Sequence, residues 1–232
     1  MGRLTDLGSY IGEGGSGGIR GLSFLDSPRG GIAGEIIGSY QLTLNGTNMS
    51  ANINGVLAGD TILICMTSDN VGPSSISGYT QLHSHDNSAH LQVYGKAITA
   101  SGDESISFSA TDAARTSAVI LHVRGINLTG FTLSSHAASE ASDFYIPALA
   151  ASAGPRLVLV VGGLDDDRIS TQSDQSVHGY TSQGASASSS IGSSTHVWTK
   201  FTDGSAETSK VFSMSGGEDQ YGTVIMGFNV SA

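Results

Sequence analysis

The chain has 232 residues, 32 of them Gly, with 13% charged and 6% aromatic side chains and a formal net charge of −10. The length allows a core buried without covalent staples, and so much Gly, at about 1 kcal/mol per interior helical position, argues against a helical fold and for short strands joined by turns. The acidity argues against a phosphate backbone as partner, the single cysteine, Cys65, excludes a disulfide within the chain, and no apolar run nears the roughly 18 residues of a membrane helix.

The first 38 residues differ from the rest. Met1-Gly2-Arg3-Leu4-Thr5-Asp6 lacks the apolar core of a signal peptide, so the chain is expected to be made in a cytoplasm. The flexible run Gly12-Glu13-Gly14-Gly15-Ser16-Gly17-Gly18 follows. Around it stand two apolar clusters, Leu4, Leu7, Tyr10 and Ile11, then Ile19, Leu22, Phe24 and Leu25. A plain linker carries no such side chains. Residues 1–38 are therefore expected to form an extended assembly arm that orders on a partner surface. The run also spells G-x-G-x-x-G, but the glycines that follow Arg20 deny the helix a nucleotide fingerprint needs.

Residues 39–232 carry the strand signals. Tyr40–Leu44 and Ala51–Asn54 alternate apolar and polar residues, with Asn45-Gly46 as a hairpin turn between them. Further strands are expected over 61–66, 79–83, 91–96, 105–109, 118–123, 131–133, 144–146, 157–161, 196–201, 210–214 and 223–230. Only 112–115 and 136–142 suggest helical turns. Many short strands at this spacing predict an all-β, antiparallel β-sandwich.

Landmarks recur in order. Gly59 and the apolar run 62–66 match Gly154 and 157–161. Gly78-Tyr79-Thr80 matches Gly179-Tyr180-Thr181, and Val93-Tyr94-Gly95-Lys96 matches Val197-Trp198-Thr199-Lys200. Ser105–Ser109 matches Val211–Ser215, and the closing strand at Val119-Ile120-Leu121 matches Ile225-Met226. A period near 100 residues is too long for a solenoid. It predicts two similar halves, about 57–126 and 151–230, packed face to face, neither closing alone. Their opening and closing strands are expected mid-sheet, with Tyr94 and Trp198 at equivalent core positions.

Chemistry-bearing residues are few. His83, His85 and His90 surround a turn at Asp86, and His at i and i+2 of a strand share a face, as metal sites use. The second half has only Ser188-Ser189-Ser190 there, so neither a metal nor another cofactor is expected. Asp165-Asp166-Asp167 lacks the alternating spacing of a calcium loop. No G-x-S-x-G, H-E-x-x-H or C-x-x-C motif occurs, and no catalytic residue is assigned. The polar loops 68–77 and 164–178 follow equivalent strands, where recognition residues commonly sit. Asp69, Asn70, Tyr79, Asp165, Asp166, Asp167 and Tyr180 are the residues there suited to a ligand such as a sugar. The plain alternative is ordinary connection.

Gly59-Asp60 before an apolar strand, Gly78-Tyr79-Thr80-Gln81-Leu82, Leu91-Gln92-Val93-Tyr94-Gly95-Lys96, a Gly-Asp turn, Ser105-Ile106-Ser107-Phe108 and the strand closing at Val123-Arg124-Gly125 together resemble a jelly-roll-like module of tailed-phage virion proteins. Tyr79 stands where Trp is commoner in that module. The resemblance covers about 57–126, and 151–230 through the repeat. It carries no site residues across. It implies a non-enzymatic virion protein, made in the host cytoplasm: a capsid decoration or cement protein, or a tail fibre or adhesin subunit. It also implies other virion proteins as partners and a homo-oligomer, with a trimer favoured. Host glycans are the alternative partner; nucleic acid and membrane are not expected.

Overall fold

The computed structural model describes residues 34–45, 48–69, 72–85, 89–109, 115–141, 143–165, 175–187, 192–213 and 219–231. The expected assembly arm, Leu4 to Leu25, lies outside them. The strands in chain order are β1 (Glu35–Gln41), β2 (Thr43–Asn45), β3 (Asn48–Val56), β4 (Asp60–Ser68), β5 (Thr80–His85), β6 (His90–Ala97), β7 (Gly102–Ser109), β8 (Thr116–Arg124), β9 (Thr132–Ala141), β10 (Asp143–Ile146), β11 (Arg156–Leu164), β12 (Thr181–Ala187), β13 (Ser194–Thr202), β14 (Lys210–Ser213) and β15 (Asp219–Asn229). Because β1 begins at Glu35, residues 35–38 belong to the sandwich rather than to the arm.

All pairing is antiparallel. Two five-stranded sheets have the orders β1-β8-β4-β6-β5 and β12-β13-β11-β15-β9, and smaller sheets have the orders β2-β3-β7 and β10-β14. The two large sheets match strand for strand, with β9, β15, β11, β13 and β12 in the places of β1, β8, β4, β6 and β5. The small sheets match in β3-β7 and β10-β14. The duplication is thus present in the topology, and it extends beyond the segments the sequence landmarks delimit.

Four sheet layers enclose three cores. Met49, Ile53, Ile106 and Phe108 meet Ile62, Ile64, Tyr94 and Ile120 in the first. Leu63, Cys65, Val93 and Leu121 meet Leu159, Val161, Val224 and Met226 in the second, between the large sheets. Phe144, Ile146 and Phe212 meet Val158, Val160, Trp198 and Ile225 in the third. Each half therefore has a core of its own as well as the shared one. β4 and β11 are buried along their whole length, because successive side chains alternate between an outer core and the central one. That is why their sequences are unbroken apolar runs. Tyr94 and Trp198 occupy equivalent places in the two outer cores, as expected, each 1% exposed.

Two expectations need correction. Ile62 lies opposite Lys96 and Val158 opposite Lys200, so 61–65 corresponds to 157–161, one residue from the match drawn on apolar letters. A strand buried on both faces has no alternation to fix that register from sequence, although a one-residue slip would exchange the two cores. Residues 136–141 form the second part of strand β9, paired with β15, instead of a helical turn. Edge pairing outweighs the helical propensity of their alanines. Of 112–115, only Arg115 lies among the described residues.

The halves are joined at both ends of the central layer. At one end Ser117 and Thr195 hydroxyls lie 2.8 Å apart, Thr195 donates to Thr67 Oγ1 at 3.0 Å, and Ser193 donates to the Thr67 carbonyl at 2.8 Å. Gly163 packs under Thr67, where an added Cβ would overlap the threonine side chain, so glycine sets the close approach. At the other end Ile126 bridges Val230, the Ser231 N–H donates to Gly125 O at 2.8 Å, and the Asn127 N–H donates to Asn229 O at 2.9 Å. We call this second end the base and the first the apex. The registers put the start of β1 at the base. They put the exits from β4 and β11, and the strand ends that flank the β5–β6, β7–β8, β12–β13 and β14–β15 connections, at the apex.

Candidate functional site

The polar constellation that both halves share lies near the base. In the first half the Tyr79 hydroxyl donates to Glu104 Oε1 at 3.0 Å and Lys96 Nζ donates to the same oxygen at 2.7 Å. Lys96 Nζ also stands 5.5 Å from the Tyr79 ring centroid. In the second half Tyr180 donates to Glu207 Oε2 at 3.2 Å, Lys200 to Oε1 at 3.0 Å and Lys210 to Oε2 at 2.6 Å. Lys200 and Lys210 lie 5.4 and 4.9 Å from the Tyr180 ring centroid. Burial, then the neighbouring glutamate, pushes both tyrosine hydroxyls well above the ordinary phenol range, so they act as neutral donors. Each constellation ties the large sheet, through its lysine, to the strand or turn that carries the glutamate. It is a clamp between layers.

This decides the fate of the two tyrosines expected to meet a ligand. Tyr180 is 3% exposed and held from both sides, so it has no free ring face for a sugar. Tyr79 is half-buried in the same arrangement. The loop residues are not brought together either. Asp69 lies at the apex, in an ion pair with Arg115, whereas Tyr79 lies at the base, a strand length of about 25 Å away. Asp165 and Tyr180 are separated in the same way. Asn70, Asp166 and Asp167 fall outside the described residues. Residues 72–78 of the loop fold onto the first core: Pro73 O accepts from the Tyr94 hydroxyl at 2.7 Å and Ile76 is buried.

Glu104 and Glu207 escaped the sequence reading. The turn between lysine and glutamate differs in length, with Lys96 eight residues before Glu104 and Lys200 seven before Glu207. With turns of unequal length, Gly102-Asp103-Glu104 in one half and Asp203-Gly204-Ser205 in the other, the repeat landmarks on either side did not place Glu207 opposite Glu104. One glutamate after the lysine in each half was the available signal.

A second buried polar group is not duplicated. Asp60 is 1% exposed and accepts from Arg124 Nε at 2.8 Å, His122 Nε2 at 2.6 Å and the Leu57 N–H at 2.9 Å. At the equivalent position of the second half stands Arg156, fully buried, which donates to the carbonyls of Ala150 at 2.5 Å and Ser205 at 2.7 Å. Burial alone would raise the Asp60 carboxyl, but Arg124, the Leu57 N–H and His122 hold it at about 2. A carboxyl depressed on folding stabilises the fold fully above its unfolded value near 3.9, and that contribution is lost as pH falls towards the folded value. Acid titration of the wild type should show a loss on the order of 2 kcal/mol between about pH 4 and pH 2 that Asp60→Asn lacks. An Asp60→Asn curve parallel to wild type through this window would refute the assignment.

His83 and His85 face the central layer on edge strand β5, their rings stacked 6.3 Å apart, each with a buried Nε2 that meets no hydrogen-bond partner among the described residues. Burial, then His85, lowers His83 to about 4, so it is neutral near pH 7. Among the described residues no three His, Cys, Asp or Glu side chains come together as a metal site. Cys65 is fully buried in the central core, its thiol pushed up by desolvation. Ser194 Oγ and His196 Nε2 lie 3.4 Å apart, both buried, with the His196 ring stacked on Trp198.

Lys96, Arg115, Arg124, Lys200 and Lys210 each face a carboxylate, and Arg156 is buried against backbone carbonyls. The described residues therefore hold no cluster of unpaired cations for a phosphate chain. No helix among them is long and apolar enough to cross a membrane. Comparison of the chain with protein-family models, with curated proteins and with solved structures finds no match.

Proposed function

We propose that the chain is a non-enzymatic structural protein of a phage virion, displayed on the particle as a decoration or cement protein or as a tail-associated fibre subunit, and anchored by its N-terminal arm. The observation that carries this reading is the polarity of the sandwich. β1 enters the sheet at the base, so whatever precedes Glu35 joins the sandwich there, while the strand ends that flank the polar connections lie a strand length away at the apex. Anchorage at one end and display at the other is the arrangement such a role requires. The arm acts by burial: its Leu and Ile side chains leave water only against a partner. The motif resemblance supports the virion setting, and the clamps support a rigid body between the two ends.

Deleting 1–33, which spares β1, is the direct test. The truncated chain should keep its melting temperature and lose incorporation into particles. Normal incorporation would overturn the reading. Sedimentation of the full chain tests the trimer.

A second reading, a carbohydrate-binding adhesin, is favoured by one observation. The outward face of the first half's small sheet consists almost wholly of amide and hydroxyl side chains.

A further inference from the structure

We infer that the outward face of β3 and β7 is the binding surface, and that its ligand is a neutral, polyhydroxylated polymer, that is, an uncharged polysaccharide. The inference rests on the adhesin reading and is independent of the particle.

Met49, Ile53, Ile106 and Phe108 point into the first core, so the alternate residues Asn48, Ser50, Asn52, Ser105, Ser107 and Ser109 point away from it. They stand in opposed pairs, Asn48 with Ser109, Ser50 with Ser107 and Asn52 with Ser105. Asn is among the residues that strands disfavour, and Thr would serve a wet strand face better. Local preference is set aside here in register, at successive outward positions, which is where function rather than folding accounts for the choice.

Two of the three pairs are also fixed. Ser105 Oγ donates to Asn52 Oδ1 at 2.9 Å and Ser109 Oγ donates to Asn48 Oδ1 at 2.7 Å. Each bond holds an amide by its oxygen and leaves the NH2 donors to a ligand, in a row about 13 Å apart along one strand. Groups ordered before binding cost less to engage.

The chemistry of the face selects the partner. Among its described residues the one carboxylate, Asp103, stands at the end of the row and accepts from the Gly55 N–H at 3.0 Å. With no cation, the face cannot hold phosphate or an acidic glycan. With no aromatic or aliphatic side chain pointing outward, it lacks the apolar centre of a protein interface. Matched donors and acceptors without charge suit hydroxyls. The second half has diverged at this place, where Tyr145 and Val211 are exposed instead, so the surface belongs to one half only.

Retention of the full chain on immobilised neutral polysaccharides (amylose, dextran, β-glucan, galactomannan), with a sulfated polysaccharide as control, tests this. Wild type should be retained on at least one neutral polymer and not on the control. Asn52→Lys and Ser107→Glu, both at exposed positions and checked by unchanged melting temperature, should weaken retention at least tenfold. Ser105→Ala, which releases the Asn52 amide, should weaken it several-fold, and Asp69→Ala at the apex should leave it intact. Neutral-polymer retention that survives all three face variants overturns the placement and leaves the adhesin reading standing. No retention of wild type overturns both.

Discussion

Glu207→Ala is expected to cost about 3 kcal/mol, because removing one member of a buried ion cluster leaves its partners charged and uncompensated. Lys210 is 6% and Glu207 7% exposed, so their charges have little water to turn to, whereas Lys200, at 29%, recovers part of its hydration. For a chain of this size the change corresponds to a fall in Tm of about 6–12 °C. The same substitution in the first half, Glu104→Ala, should cost only about 1 kcal/mol, since Lys96 is 31% exposed and stands alone. Thermal unfolding of the two variants side by side gives the comparison, and equal losses would contradict the clamp energetics. The pH dependence follows. Burial works to raise the Glu207 carboxyl, but Lys210 and Lys200 hold it below its usual value. Its stabilisation is therefore present above the unfolded value near 4.3 and lost below it.

Trp198→Ala should be comparably damaging, at about 3–5 kcal/mol, since truncating a buried aromatic removes both transfer energy and packing. Trp198 is 1% exposed and meets Phe212 at 5.1 Å and Phe144 at 5.8 Å between ring centroids, both edge to face. It is also the single tryptophan of the chain, so its fluorescence reports the second half alone. Wild-type emission should be that of an indole shielded from water and shift red on unfolding. Trp198→Phe should recover most of the stability lost by Trp198→Ala. A Trp198→Ala variant that melts within 2 °C of wild type, against the ~6 °C or more expected from the lost burial, would show that the core does not depend on this ring.

Much of this fold was legible because its signals are local. Period-two alternation marked β3, the Asn45-Gly46 dipeptide marked the β2–β3 hairpin, and the apolar runs at β4 and β11 marked strands covered on both faces. The repeat emerged from short landmarks such as Gly78-Tyr79-Thr80 and Gly179-Tyr180-Thr181, each at a positive-φ glycine that the turn requires. That β1 corresponds to β9, and β3 to β10, in the two halves was not legible. Those strands lie at edges and in outer layers, where many sequences satisfy one apolar face. The partners of Asp60 were hidden for a different reason. His122 and Arg124 come from a strand more than sixty residues later, and only the register of β4 on β8 brings them together. Tyr79 and Tyr180 were recognisable as equivalents but not as clamp members, because the glutamates that hold them sit beyond turns of unequal length. For the polar face of β3 and β7, the sequence displayed the alternation. It could not show that the two rows oppose each other residue for residue.

The central layer has a further consequence. The large sheet of each half presents a broad apolar surface to the other, interrupted at the apex by the Thr67, Ser117 and Thr195 hydroxyls, with Leu63, Val93 and Leu121 on one side and Leu159, Val197 and Met226 on the other. A half expressed by itself would expose that surface and would have to find a second copy, with a folded fraction that depends on concentration. On a single chain the partner is always tethered within reach, at an effective concentration that dilution does not change. What would be a subunit interface in a chain of half the length is here an internal core, and the protein can be released into a dilute medium without coming apart along it.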